Sequence, residues 1–175
     1  LILKRKDMRN IIIFSMVTFL LAFTSCHREV APFLGDYSYK LSGEVAVTDA
    51  EGATSYHLLH RNGQMNILED KANPSRLLIT MNEMNGACYT MTATVKGDSL
   101  FVEPYEFNIN ILTQEGTSIF DSESTSSLVY RITSSGCGML NGKMLVLDEQ
   151  WNGYQSGDNR IGIAGPEMRI IAEKN

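Results

Sequence analysis

Histidines, carboxylates and thiols are the first places to look for chemistry in this chain. His57 and His60 stand three apart, and His27 lies near the N-terminus. On a strand, positions three apart face opposite sides, so the pair is not expected to share one metal ion. Asp148 and Glu149 are adjacent, and Glu103 precedes Pro104. Acids that converge in a cleft can exchange protons with a substrate. Adjacent acids on a strand point apart, so the expectation here is a solvated strand end. Ser135-Gly136-Cys137-Gly138 would present a thiol nucleophile only with a basic neighbour to lower its pKa. None is evident nearby in the sequence, and a glycine-rich bulge is expected instead. The chain has no Cys-x-x-Cys, His-Glu-x-x-His, Gly-x-Ser-x-Gly or phosphate-binding glycine loop. No catalytic residue, no metal and no cofactor is expected, with a hydrolase or isomerase kept as the enzymatic alternative.

Aromatic and Met side chains carry the other signal. Tyr39, Tyr56, Tyr89, Met91, Tyr105, Phe107 and Tyr130 fall mostly on the apolar faces of alternating segments. Met65, Met81, Met144 and Met168 join them. Such a set could line a pocket for a small amphipathic ligand, with adaptable thioethers and phenol hydroxyls, or could simply fill a core. Trp151 and Tyr154 precede a Gly-rich loop expected over 153–165, and could form an aromatic pair at a rim. A non-enzymatic interaction or inhibitor module with a filled interior is the functional alternative.

The segments that must position these residues read as strands. Over 37–48, Tyr37, Tyr39, Leu41, Val45 and Val47 alternate with polar residues, and Gly43 on the apolar face could permit a bend or bulge. The same period recurs over 89–95, 105–111 and 128–133, with shorter runs near 54–60, 64–69, 76–82, 143–151 and 167–173. Asn62-Gly63 and Asn141-Gly142 read as two-residue hairpin turns. Lys96-Gly97-Asp98-Ser99 and Asn85-Gly86 mark further hairpins, while Asn73-Pro74 and the polar stretch 113–126 read as longer loops. Eight to ten short strands joined by tight turns predict an all-β antiparallel meander. Closing it into a barrel removes its edges; a β-sandwich is the alternative.

Charge narrows the partners. Of 15 Lys and Arg and 20 Asp and Glu, Lys4, Arg5, Lys6, Arg9 and Asp7 lie in the first 25 residues, leaving 11 against 19 and a net charge of −8 beyond them. An acidic domain disfavours nucleic acid, which is bound through phosphate neutralisation. Residues 11–23 are almost wholly apolar and follow a basic run. That stretch is shorter than the roughly 20 residues a membrane-spanning helix needs and fits the core of an export signal. Cys26 follows Thr24 and Ser25, leaving Cys88 and Cys137 as a possible disulfide pair or two separate thiols.

Two short segments resemble known families. Phe23-Thr24-Ser25-Cys26 resembles a lipobox, with Phe23 where Leu is usual, as in Bacteroidetes-type lipoproteins. It implies cleavage after residue 25 and a lipid on Cys26. His27, where Asp would resemble an inner-membrane retention signal, favours the outer membrane, with the periplasmic or cell-surface face open. Gly35-Asp36-Tyr37 resembles the Gly-x-Trp that opens the first strand of calycins, the lipocalin and fatty-acid-binding superfamily. That resemblance implies a barrel whose closed end is plugged by Tyr37, with Arg169 laid across the ring. The expected layout is a leader over 1–25, a lipidated Cys and tether over 26–34, and a calycin-like barrel over 35–175. The expected function is an outer-membrane-anchored, monomeric lipoprotein binding a small, largely apolar ligand.

Overall fold

The computed structural model describes residues 29–84, 87–112 and 127–175, side chains excepted at 111, 112, 127 and 128. The expected leader, Cys26, the expected Asn85-Gly86 turn and the stretch 113–126 lie outside those residues. Eight antiparallel strands form a closed meander barrel. They are β1 (Gly35–Thr48), β2 (Thr54–Glu69), β3 (Arg76–Glu83), β4 (Cys88–Lys96), β5 (Ser99–Leu112), β6 (Ser127–Asn141), β7 (Met144–Gln155) and β8 (Asp158–Lys174). Each strand pairs with the next, and β1 pairs with β8, from Tyr37 opposite Lys174 to Thr48 opposite Gly162. The barrel is therefore the solution the meander adopts, not the sandwich. Every pairing that closes the barrel lies within the described residues.

Period-2 alternation decides which side chains enter. Tyr37, Tyr39, Leu41, Val45 and Val47 of β1 are buried, and so are Leu77, Ile79 and Met81 of β3 and Leu145 and Leu147 of β7. The pairing of β1 with β8 slips between Ser42 and Ala46, beside Gly43, where the bend was expected. A second slip, between Val102 and Tyr105 in the β5–β6 pairing, lies at Pro104. It lets Leu100 and Val102, then Tyr105, Phe107 and Ile109, all point inward despite their change of parity.

The turns at Gly97 and Gly142 form as expected, each glycine at positive φ (61° and 62°). Asn62-Gly63 does not turn. β2 runs straight through it, with Gly63 opposite both Tyr39 and Glu83. The reason is steric. A Cβ on Gly63 would stand 2.1 Å from the Asn82 carbonyl oxygen and 2.9 Å from a Tyr39 ring carbon. The glycine marks a close approach, not a reversal. The Gly-rich loop expected over 153–165 is likewise a hairpin, with β7 and β8 separated by Ser156 and Gly157 alone.

One end is plugged by the chain itself. Val30 and Phe33, at the 3₁₀ turn Ala31–Phe33, are buried in the core. The Tyr37 hydroxyl donates to the Phe33 carbonyl at 2.8 Å. Lys174 Nζ donates to the Pro32 carbonyl at 3.1 Å and stands 5.8 Å from the Tyr37 ring centroid, within cation–π range. The cation over the plug is thus Lys174. Arg169, expected there, points outward and binds Asp148 at 2.6 Å. Side chains alternate along β8, so 169 faces away from the interior while 174 faces in. At the other end β1, β3, β5 and β7 finish and β2, β4, β6 and β8 begin.

Gly63→Ala should cost about 1–3 kcal/mol, the usual range for overpacking. Gly162→Ala, whose Cβ meets nothing closer than 4.0 Å, should be near neutral. Thermal melts of the two variants make the comparison, and equal melting temperatures would contradict the close approach at Gly63.

Candidate functional site

The interior toward the second end holds a polar layer enclosed by apolar side chains. On one wall Tyr39 of β1, Arg61 of β2, Glu83 of β3 and Tyr89 of β4 face inward. On the other stand Tyr105 and Phe107 of β5, Ser134 of β6, and Glu149 and Trp151 of β7. Strand alternation places each of them, with charged Glu83 and Glu149 occupying positions that a core residue would otherwise take.

Glu149 is 1 % exposed. Its carboxylate accepts from the Tyr105 hydroxyl at 3.0 and 3.2 Å, from Ser134 Oγ at 3.1 Å and from Trp151 Nε1 at 3.0 Å. It lies down over Gly136, its partner on β6, where a Cβ would stand 3.0 Å from Glu149 Cγ. The expected solvated strand end therefore holds for Asp148 alone. Asp148 faces out, and Glu149 faces in. Burial raises the Glu149 pKa, and the hydrogen bonds from Trp151, Tyr105 and Ser134 oppose that rise.

Arg61 and Glu83 form a second buried unit. Arg61 Nη1 donates to both Glu83 oxygens, at 2.8 and 2.6 Å, and Nη2 donates to the Asn110 carbonyl of β5 at 3.2 Å. The two side chains are 8 % and 4 % exposed. They also border a flank groove of about 730 Å³, shared with Lys40, His60, Asn62 and Met84.

An aromatic stack joins the walls. Tyr89 and Phe107 are nearly parallel at 4.8 Å between centroids, Tyr105 and Phe107 at 5.4 Å, and Trp151 meets Phe107 edge-on at 5.1 Å. Within this layer three buried donors have no partner among the described residues: the Tyr39 hydroxyl, the Tyr89 hydroxyl and Arg61 Nε. Burial is the largest cause raising the pKa of both phenols, with Glu83 adding to it and Arg61 opposing it.

The remaining expected site residues fall on both sides of the wall. Met91 and Tyr130 are buried on the inner wall, as are Met65, Met81 and Met168. Tyr56 does not line the interior; it is 67 % exposed, because β2 presents odd-numbered residues inward and even-numbered ones outward. Met144 is exposed for the same reason on β7. Trp151 and Tyr154 do not form a rim pair. Trp151 is buried inside while Tyr154 is exposed, since three residues along a strand reverse the face. That removes the motive for a partner-binding surface at Trp151. His57 and His60 also take opposite faces of β2, and the His57 ring nitrogen lies 3.0 Å from Ser55 Oγ. Cys88 and Cys137 are exposed free thiols and do not pair. No group of three or more metal-ligating side chains occurs among the described residues. Sequence reading missed Arg61, Glu83 and Ser134. The parity of β2 and β3 would have flagged the first two as inward charges had Gly63 not been taken for a turn.

No protein-family model matches the chain, and no curated protein matches it. Among solved structures it is similar to one described as EF1p2_mFAP2b bound to DFHBI. The identity is 12 % and the TM-score 0.42, over 86 % of this chain and 99 % of that one. A likeness of that size carries nothing about what this chain binds.

The buried charges set how stability responds to pH and to substitution. A carboxyl whose native pKa lies above its unfolded value holds its proton longer in the native state. Its contribution to stability is complete below the unfolded pKa and is lost as pH rises through the native one. Glu149→Gln should therefore match the parent at about pH 4.5 and exceed it at about pH 8. The margin is about 1.4 kcal/mol for every tenfold by which burial weakens the acid. Denaturant unfolding at the two pH values measures this, and a glutamine variant that loses ground as pH rises would contradict it. Separately, Arg61→Met or Glu83→Leu alone should cost about 3–5 kcal/mol, while the double variant should recover most of that loss. A double variant as unstable as the sum of the two singles would show that the pair is not an isolated unit.

Proposed function

We propose that this chain is an exported lipoprotein, held at the outer membrane by a lipid on Cys26, whose barrel binds a small, largely apolar ligand. The single observation that carries the ligand reading is the mismatch in the polar layer. Glu149, Tyr105, Ser134 and Trp151 satisfy one another, as do Arg61 and Glu83. Tyr39 and Tyr89, within the same interior, keep buried hydroxyls with no partner among the described residues. A buried hydroxyl without a partner costs about 1–3 kcal/mol, and two of them on one wall support a contact that the described side chains do not supply. The surrounding rings and the buried Met91 supply an apolar, adaptable wall.

The anchor rests on the leader pattern. A basic run, a short apolar core and two small residues precede Cys26. Val30 and Phe33 are buried at the end where β1 begins, so the described chain enters the barrel there. The net charge of −8 beyond residue 25 makes a covalent lipid, and not a basic patch, the means of holding an anionic membrane surface.

Native mass spectrometry of the barrel (residues 29–175), purified from an exporting host, should show a species heavier than the bare chain by a small molecule's mass. A bare mass from every extract would count against the ligand reading. For the anchor, Cys26→Ala should abolish incorporation of a fatty-acid analogue. Continued labelling of that variant would overturn it.

A further inference from the structure

Lysine is distributed unevenly over the barrel. Beyond residue 25 the chain has Lys40, Lys71, Lys96, Lys143 and Lys174. Lys71 lies between β2 and β3, Lys96 ends β4, Lys143 lies between β6 and β7, and Lys174 ends β8. In an up-and-down meander all four positions are at the plugged end, where β1 begins. Lys40 is on the outer face of β1, in the half nearest that end. The other end has Asp49 and Glu51 between β1 and β2, Asp158 at the start of β8, and no lysine among the described residues.

The described arginines do not share this pattern, and their charges are already engaged. Arg61, Arg76, Arg131, Arg160 and Arg169 each hold a carboxylate. Lys71, Lys96 and Lys143 are exposed and hold none among the described residues. They stand as a basic rim around the plug. Glu29, Asp36, Glu69, Asp70, Asp98 and Glu173 lie at the same end, so its net charge is close to zero. The acid behind the net charge of −8 is therefore concentrated away from it.

Reach narrows which face a membrane can meet. The described chain enters the barrel at Val30, four residues past Cys26. Four residues span no more than about 14 Å at full extension. The 14 residues of β1 run about 35 Å along the barrel once strand tilt is counted. A lipid on Cys26 leaves the plugged end and the flank beside it within reach of a bilayer, and the other end out of reach. Charge decides between the two. Screening confines it to about 10 Å at 0.1 M salt. An anionic leaflet senses the lysine rim when the plugged end is down, and the acid-rich remainder when the barrel tips onto its side.

We propose that the plugged end is the membrane-facing end. The lipid holds the chain, and Lys71, Lys96 and Lys143 orient it on an anionic phospholipid surface, with the β1–β2 and β7–β8 turns directed away. This rests on the anchor reading and adds to it which face of the barrel meets the bilayer.

The test returns the full chain, exported and extracted in detergent, to vesicles of phosphatidylcholine alone or mixed with phosphatidylglycerol. Vesicle flotation reads the anchor. Sparse acylation by an amine-reactive ester, located by peptide mass spectrometry, reads the orientation. On the mixed vesicles at low salt, acylation of Lys71, Lys96 and Lys143 should fall by about fivefold, the effect of one lysine near an anionic leaflet, and should recover at high salt. Cys88, an exposed thiol at the start of β4 and so at the other end, should keep its maleimide reactivity throughout. Lysines acylated at equal rates on the two kinds of vesicle would overturn the proposal, and so would protection of Cys88; flotation in either case leaves the anchor reading standing. A chain that carries no lipid and floats with neither vesicle would bring down the anchor reading and this proposal with it.

Discussion

Pairing β1 with both β2 and β8 is the constraint from which the rest follows. It removes every edge from the sheet and turns one face of each strand toward a common interior. In that interior a polar group must find its partner among the side chains or go without. The Glu149 cluster and the Arg61–Glu83 pair are two solutions to that condition. Each draws strands together across the barrel: Glu149 gathers donors from β5, β6 and β7, and Arg61 spans β2, β3 and a carbonyl of β5. Tyr39 and Tyr89 are where the condition is left unmet, which is why they carry the functional argument.

The two ends of the barrel divide the work. The plugged end is apolar and self-contained. Phe33 and Val30 fold in beneath Tyr37, and Lys174 ties the last strand to the segment before the first. That arrangement fixes the register at which β1 and β8 meet. It also leaves the polar layer to the opposite end, so the elements that close the fold are not the ones asked to bind. The slip at Pro104 serves the second half of this division. By changing the parity of β5 it turns Tyr105 and Phe107 inward; Tyr105 holds Glu149, and both rings join the stack.

Much of the fold was legible from alternation alone. The faces of β1, β4 and β5 read correctly from period-2 patterning, because a half-buried strand must alternate whatever its neighbours do. Two kinds of feature were not legible. A glycine after an asparagine has the chemistry of a tight turn, yet Gly63 is held in a strand by the Tyr39 ring and the Asn82 carbonyl, a contact between distant parts of the chain. A charged residue reads as solvent-facing, yet Glu149 is inside because Gly136 and Ser134 of the adjoining strand leave room for it. Lys174 in the place expected of Arg169 is a milder case. The interaction type was foreseen, but the residue depends on where the β1–β8 register falls, and sequence does not give that.

The most direct test of the account is a high-resolution crystal structure of the barrel purified from an exporting host without delipidation. The account predicts density inside the barrel for a small molecule in contact with the Tyr39 or Tyr89 hydroxyl. Those two hydroxyls satisfied by ordered water alone, or turned to bond Glu83 and Glu149, would contradict it.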